Sequence, residues 1–397
     1  MGIFKKKRKK DTSGIEEKDY EDMLIRHRRR VGIGILILLL LAVVLAFCVK
    51  IFLDHREYEN YEIADTTDMG DVSKCEFYRY CDGILRYSND GISYMVGDDT
   101  IWNQAFEMKD PVIDICEKYM AIADLHGSKI YIYNNSGQQG EIETTAPILS
   151  LEVASQGVVA AITKNDTANL IEVYDKEGTN IAVGQTVLSG DGSPLSISIS
   201  NDGTKLAVSY VYLESSVAKT KVVFYNYSEV GKNEVGRIVG AFEHYDTSII
   251  SKVEFVTNDV VAAFGDDILT IYSIKQRPSV LQEFKLDKAV ESVVYNEQYI
   301  GIICKSDLAL NQHIVTIYDI NGKSVLNKTI DFAYTDVQLA GDRLIFNNQT
   351  QLYIFTVDNI LKYNGTIKDG IVKVIPSKYE NRYTVITNNE AQEIKLK

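Results

Sequence analysis

Proline is scarce, with five in 397 residues, and there is one tryptophan. So little proline, with 45% apolar and 24% charged residues, excludes collagen-like repeats and wholesale disorder. Five cysteines and five histidines are present, but none stands in C-x-x-C, H-x-H or H-E-x-x-H spacing, so no metal-ligating or cofactor-binding residues are assigned. A single Trp102 is a poor basis for a stacked sugar-binding platform and reads as a packing residue. After about residue 72 no amphipathic 3.6-residue pattern is sustained. That excludes a doubly wound α/β domain, which needs crossover helices.

Charge is unevenly placed. Residues 1–30 hold eleven Lys and Arg against six acids, among them the run Lys5 to Lys10 and the block Arg26-His27-Arg28-Arg29-Arg30. From Asp54 onward there are 30 bases and 49 acids, a net −19. A domain of that sign repels nucleic-acid phosphate, so no nucleic-acid partner is expected. The basic run could serve nuclear import or RNA contact; beside an apolar helix it is read as an orienting, lipid-facing segment.

Val31 to Val49 is nineteen residues without a charge, and Ile51 to Leu53 extend it past Lys50. At about 1.5 Å per residue this spans roughly 30 Å, the depth of a bilayer's hydrocarbon core. Its length exceeds a cleavable signal core. The candidate cleavage site Leu45-Ala46-Phe47 ends in a bulky residue, and Phe47 before Cys48 does not suit a lipoprotein. Lys6 does not suit myristoylation at Gly2. The expected organisation is a basic cytoplasmic tail over 1–30, with good helix formers in 11–30. A membrane helix over 31–53 contacts the lipid bilayer, and an acidic stalk spans 54–71. An extracytoplasmic domain covers 72–397.

That domain reads as all-β. Short apolar runs end in an aromatic and a polar turn: KIYIYNNSG (129–137), LIEVYDKEG (170–178), KVVFYNYSEVG (221–231), ILTIYSIKQ (268–276), IVTIYDING (314–322) and QLYIFTVDN (351–359). The aromatics are Tyr133, Tyr174, Tyr225, Tyr272, Tyr318 and Phe355, spaced 41, 51, 47, 46 and 37 residues apart. Two further apolar runs precede each copy. A period of 40–50 residues with four strands per unit predicts a β-propeller. Unit starts near Val72, Pro111, Pro147, Pro194, Ile249, Lys288, Ala333 and Asp369 give eight blades, with seven as the alternative count. The last unit is one strand short, and a strand from about 58–66 is expected to complete it.

Ser200-Asn201-Asp202-Gly203-Thr204-Lys205-Leu206-Ala207 resembles the S-P-D-G-K-x-L-A turn of TolB-type and WD40-like propellers, with Asn201 in place of proline. The segment YSNDGISYMVGDDTIWNQAFEMKDP (87–111) and Ala121-Ile122-Ala123-Asp124 before Gly127 resemble an uncharacterised domain-of-unknown-function family. Its members are membrane-anchored propellers of Clostridia-type Gram-positive bacteria. The resemblance implies fold and anchoring and brings no activity.

Other motifs fail on context. Ser216-Val217-Ala218-Lys219 has S-x-x-K spacing but lies in a polar connection between predicted strands. Asp98/Asp99, Asp191 and Asp266/Asp267 read as solvated turns, and SGDGS (189–193) lacks calcium-loop spacing. His126 and His313 read as turn residues. Cys116 and Cys304 read as buried core. Cys75 and Cys81 could bridge in an oxidising compartment, with unpaired thiols favoured. No catalytic residue is assigned. The favoured function is a non-enzymatic binding or scaffolding module at the cell envelope, single-pass in the cell membrane, with a protein or envelope partner. The alternatives are a quinoprotein-like or lyase-type enzyme with its site at the channel mouth, and signal transmission through the basic tail.

Overall fold

The computed structural model describes residues 13–187, 192–307, 309 and 311–397. The basic run at 5–10, Asp191 and residues 189–191 of the SGDGS segment lie outside them. The chain forms two units, Met1–Glu57 and Tyr58–Lys397.

In the first unit one helix runs from Ser13 to Asp54, so the expected short helix in 11–30 continues unbroken into the apolar run. Within it, the 24 residues Arg26–Val49 reach a mean hydropathy of 3.2, long and apolar enough to cross a membrane.

The second unit is an eight-bladed β-propeller of four-stranded antiparallel sheets. The first strands of the blades are Glu76–Tyr80, Pro111–Cys116, Ile148–Val153, Ser193–Ile199, Ile250–Thr257, Val290–Tyr295, Asp336–Ala340 and Lys373–Pro376. These starts lie within four residues of those expected. The ring is closed by Tyr61–Asp68, which pairs antiparallel with Glu390–Leu396 and becomes the fourth strand of blade 8. Much of the span read as a stalk is therefore sheet.

Each blade is apolar on both faces, so it is stable only between two neighbours. Among the described residues eight buried apolar clusters result, one at each junction. The junction of blades 4 and 5 buries thirteen residues, Phe224, Val253 and Tyr272 among them. The junction of blades 8 and 1 buries only six: Met69, Val72, Phe77, Ile375, Ile386 and Ala391. Small second-strand residues (Ala121, Ala160, Ala207, Ala262, all fully buried) allow this close approach.

The six repeated aromatics occupy the third strands and are at most 8% exposed. At each the pairing with the fourth strand slips by one residue. The residue skipped is Ile181, Leu281 or Val325 in blades 3, 5 and 6, and Ile101 at the matching place in blade 1. All four are exposed apolar side chains. A bulge there twists the outer strand and blunts an edge that would otherwise pair with another sheet.

Hydrogen bonds near the ring's inner rim tie the blades in sequence. Tyr80 Oη donates to Lys118 O between blades 1 and 2. Val153 N donates to Asp114 Oδ2 at 2.7 Å, and Ser155 Oγ to Asn201 O at 2.8 Å. Val253 N and Phe255 N donate to Ser196 Oγ and Ser198 Oγ at 3.1 and 3.0 Å. Tyr295 Oη donates to Glu254 Oε2 at 2.9 Å, and Ser292 Oγ meets Tyr334 Oη at 2.8 Å. Gln338 Nε2 donates to Val374 O at 2.8 Å, and Arg79 Nη1 to Pro376 O at 3.1 Å.

The Asp202-Gly203 segment turns between the first two strands of blade 4. Asp202 Oδ1 accepts from Thr204 N at 3.0 Å and Ser200 Oγ at 2.6 Å, while Gly203 takes φ +68°. Two sequence expectations are corrected. His313 is not in a turn. It lies in the strand Gln312–Asp319, paired with Lys305 and Ile330, and is 5% exposed. Its polar neighbours Asn311 and Gln312 disguised the strand start. Of Ser216 to Lys219, read as a polar connection, only Ser216 lies in one: Ser215 and Ser216, both at positive φ, turn a hairpin of two ten-residue strands, the second starting at Val217.

Deleting residues 58–68 leaves Glu390–Leu396 unpaired at its outer edge and opens the seam. The melting temperature of the chain, followed by circular dichroism, is expected to fall by on the order of 10 °C. A fall of less than about 2 °C would show that closure by this strand does not stabilise the ring.

Candidate functional site

Asp114, Glu152 and Glu254 are on the first strands of blades 2, 3 and 5, each paired with an alanine on the adjacent strand: Ala121, Ala160 and Ala262. Ser198, paired with Ala207, holds the matching place in blade 4. The same register position therefore brings three carboxyl groups from distant sequence to the inner rim.

Burial raises the pKa of Glu152 well above the ordinary carboxyl range, and the charges of Asp114 and Glu254 push it further. Burial also raises Asp114, against the opposing hydrogen bond from Val153 N. Glu254 is raised by burial and held down in part by Lys252 and Tyr295. Lys252 Nζ lies 2.8 Å from Tyr295 Oη and 3.5 Å from Glu254 Oε2. Cys116, at the end of the same rim strand as Asp114, is pushed up to about 12 by burial and the nearby acids. It is half-buried rather than core, whereas Cys304 is buried as expected. The rim thus holds carboxyls with raised pKa, an ammonium and a phenol together. Among the described residues no group of three or more His, Cys, Asp or Glu is placed to hold a metal ion.

Other polar groups are absorbed locally. Glu172, 2% exposed, accepts from Thr163 Oγ1 at 2.7 Å, Tyr174 Oη at 2.9 Å and Thr145 Oγ1 at 3.3 Å. His313 Nε2 is 3.2 Å from Glu291 Oε2. Trp102 stacks on Tyr133 of the next blade at 5.2 Å, the packing role expected for it. His126 lies in a turn at positive φ, and the pair Asp266/Asp267 also lies between strands. Cys75 and Cys81 are free thiols.

The seam between blades 8 and 1 contains a cleft of about 260 Å³. Its apolar lining includes Met69, Ile84, Met95, Ile375 and Ala391, and its charged lining includes Arg79, Lys378, Arg382, Asp65, Asp82 and Glu393. The cleft lies where the junction core is smallest.

Sequence reasoning missed both features. A carboxyl inside the first-strand runs PVIDIC, ILSLEV and ISKVEFV was the available signal for the rim. The cleft joins residues 65–97 to 375–393 and left none.

Comparisons with known proteins agree with this architecture. The model of a family described as "Family of unknown function (DUF5711)" matches residues 54–396. No curated protein matches the chain. Among solved structures, BamB from Moraxella catarrhalis is similar at 12% identity and a TM-score of 0.53, over 85% of this chain and 100% of that one. Sqt1 from Saccharomyces cerevisiae is similar at 11% identity and 0.53, over 86% and 99%. Sqt1 from Chaetomium thermophilum, solved bound to the N-terminus of ribosomal protein L10, is similar at 9% identity and 0.50, over 85% and 96%. At such identities the likeness is one of fold.

The raised carboxyls carry a pH signature. A carboxyl that holds its proton more tightly folded than unfolded stabilises the ring fully below its ordinary range. That stabilisation is lost as pH rises through the folded value. Glu152→Gln is therefore expected to raise the urea midpoint by a few tenths molar at pH 8 and to change it little at pH 4. Equal pH dependence in the variant and the parent chain would refute this assignment.

Proposed function

We propose, from the premise that the chain belongs to the family of unknown function DUF5711, that it is a membrane-anchored, non-enzymatic binding or scaffolding module of the cell envelope. One observation carries the reading. A propeller tied at every junction, with a charged and apolar cleft at its seam, has its first strand separated by six residues from the end of a helix of membrane-spanning length. In this reading Arg26–Val49 is a single-pass anchor. The basic side faces the cytoplasm and the acidic propeller is extracytoplasmic, as the positive-inside rule requires. The basic residues 1–12, read from sequence alone, contact anionic lipid.

Propeller relatives by fold include a protein solved with a bound peptide segment of another protein, the Sqt1 complex. That supports protein recognition as a use of such rings, by analogy of fold. The second reading, an enzyme of the quinoprotein or lyase kind, draws on the converging Asp114, Glu152, Glu254 and Lys252. A binding module is favoured because the seam cleft combines an apolar floor with a charged rim, the composition of a recognition site.

Topology is tested with Cys81, an exposed thiol of the propeller. A membrane-impermeant maleimide added to intact cells is expected to label the chain, and Cys81→Ser to remove most of that label. Labelling that needs cell lysis would overturn the extracytoplasmic assignment. Recognition is tested with photo-cross-linking residues at Leu213 and Val235, whose side chains are 77% and 92% exposed. A reproducible envelope-protein adduct is expected from one of them, and the lack of any adduct counts against a scaffold.

A further inference from the structure

We infer that the seam cleft binds a free α-carboxylate attached to an apolar side chain, the chemistry of a peptide C-terminus or of a free apolar amino acid. The inference rests on the binding-module reading and deepens it.

The cations of the cleft are not equivalent. Arg382 Nη1 is engaged by Glu393 Oε1 at 2.6 Å, and Lys378 Nζ lies 3.4 Å from Asp82 Oδ1. Arg79 makes one hydrogen bond, Nη1 to the backbone Pro376 O at 3.1 Å, and among the described residues no carboxylate pairs with it. Its remaining guanidinium donors stand at the cleft in a propeller whose sequence is strongly acidic. A guanidinium in that position recognises a planar carboxylate through two parallel N–H bonds.

The floor supplies the second determinant. Met69, Ile375 and Ala391 are 4%, 4% and 5% exposed, and Met95 and Ile84 pack against the same cluster. A volume of about 260 Å³ is at the small end for ligand pockets, so it suits one large apolar side chain with its backbone. Tyr379, 56% exposed and flanked by the Lys378 and Arg382 cations at 5.8 and 5.3 Å from its ring, offers an aromatic wall for such a side chain. The acids Asp65, Asp82 and Glu393 on the rim disfavour a dianionic phosphate and tolerate a monoanion.

The test is calorimetric titration of the full chain in detergent micelles with Ala-Ala-Leu, the same tripeptide amidated at its C-terminus, and free leucine. The acid is expected to bind at least about tenfold tighter than the amide, the scale of one charge-assisted pair. Arg79→Gln is expected to abolish that difference. Lys176→Gln, in a separate cavity between blades 2 and 3, should leave it intact. Tripeptide binding tighter than leucine assigns the site to a peptide terminus, and equal binding assigns it to the amino acid. Equal affinity for acid and amide, or no heat with any of the three at millimolar concentration, overturns the inference. If Arg79→Gln fails to fold because it loses its bond to Pro376 O, the acid-against-amide comparison on the unaltered chain still decides. Should that comparison fail while adducts at Leu213 or Val235 persist, the cleft ligand is wrong and the scaffold reading stands.

Discussion

Burial of both faces of every sheet is the constraint on which this propeller depends. A four-stranded sheet that is apolar on both sides has no stable existence in water, because exposing that surface costs roughly 25 cal/mol per Å². Eight such sheets satisfy one another only in a closed ring. The chain reaches closure by sending Tyr61–Asp68 to the far end of the sequence, where it pairs with Glu390–Leu396. Closure therefore couples the first residues of the domain to the last, and it explains why the acidic segment after the helix is structured.

The same constraint shapes the edges. A propeller turns its fourth strands outward, and those edges are open to pairing with another chain. In blades 2 to 7 the slipped register beside the repeated aromatic breaks the regular ladder of that outer strand. The aromatic therefore has two effects: its ring fills the space between blades, and its position marks the bulge. Ile101, Ile181, Leu281 and Val325 stand exposed at this bulge, whereas Val239 and Lys362 at the same place in blades 4 and 7 are buried.

Much of the fold was legible because the repeat is written in local chemistry. The aromatic-plus-turn endings placed all six repeated third strands, and the unit starts placed the blades to within four residues. The strand expected near 58–66 appears at 61–68. Local pattern failed where long-range pairing decides. His313 followed two polar residues and read as a turn, yet its partners Lys305 and Ile330 fix it in a strand. The rim acids looked like ordinary polar interruptions in apolar runs. Only the register, which sets each opposite an alanine, gathers Asp114, Glu152 and Glu254 at one level of the ring. The seam cleft unites segments some 300 residues apart, and no periodicity reports that.

Both candidate sites lie where the repetition breaks. Among the described residues, seven junctions hold buried apolar clusters of nine to thirteen residues, and the eighth one of six. The eighth joins opposite ends of the chain, Met69 to Phe77 with Ile375 to Ala391. Its link from the closing strand Tyr61–Asp68 to Glu76–Tyr80 is as short as those between successive blades, and Met69 and Val72 of that link supply part of the junction's small core. The rim acids break the repeat differently: blades 4 and 7 place Ser198 and Gln338 on first strands, where both form hydrogen bonds to the next blade. Asp114 and Glu254 do likewise, and their carboxyl groups remain beside Glu152 as the cost of those bonds is met by Val153 N, Lys252 and Tyr295. Glu152 has the least compensation and the most strongly raised carboxyl pKa of the three. The protein thus uses an almost uniform scaffold to hold two departures from uniformity, a set of raised carboxyls at the rim and a cleft of mixed charge with an incompletely paired Arg79 at the seam.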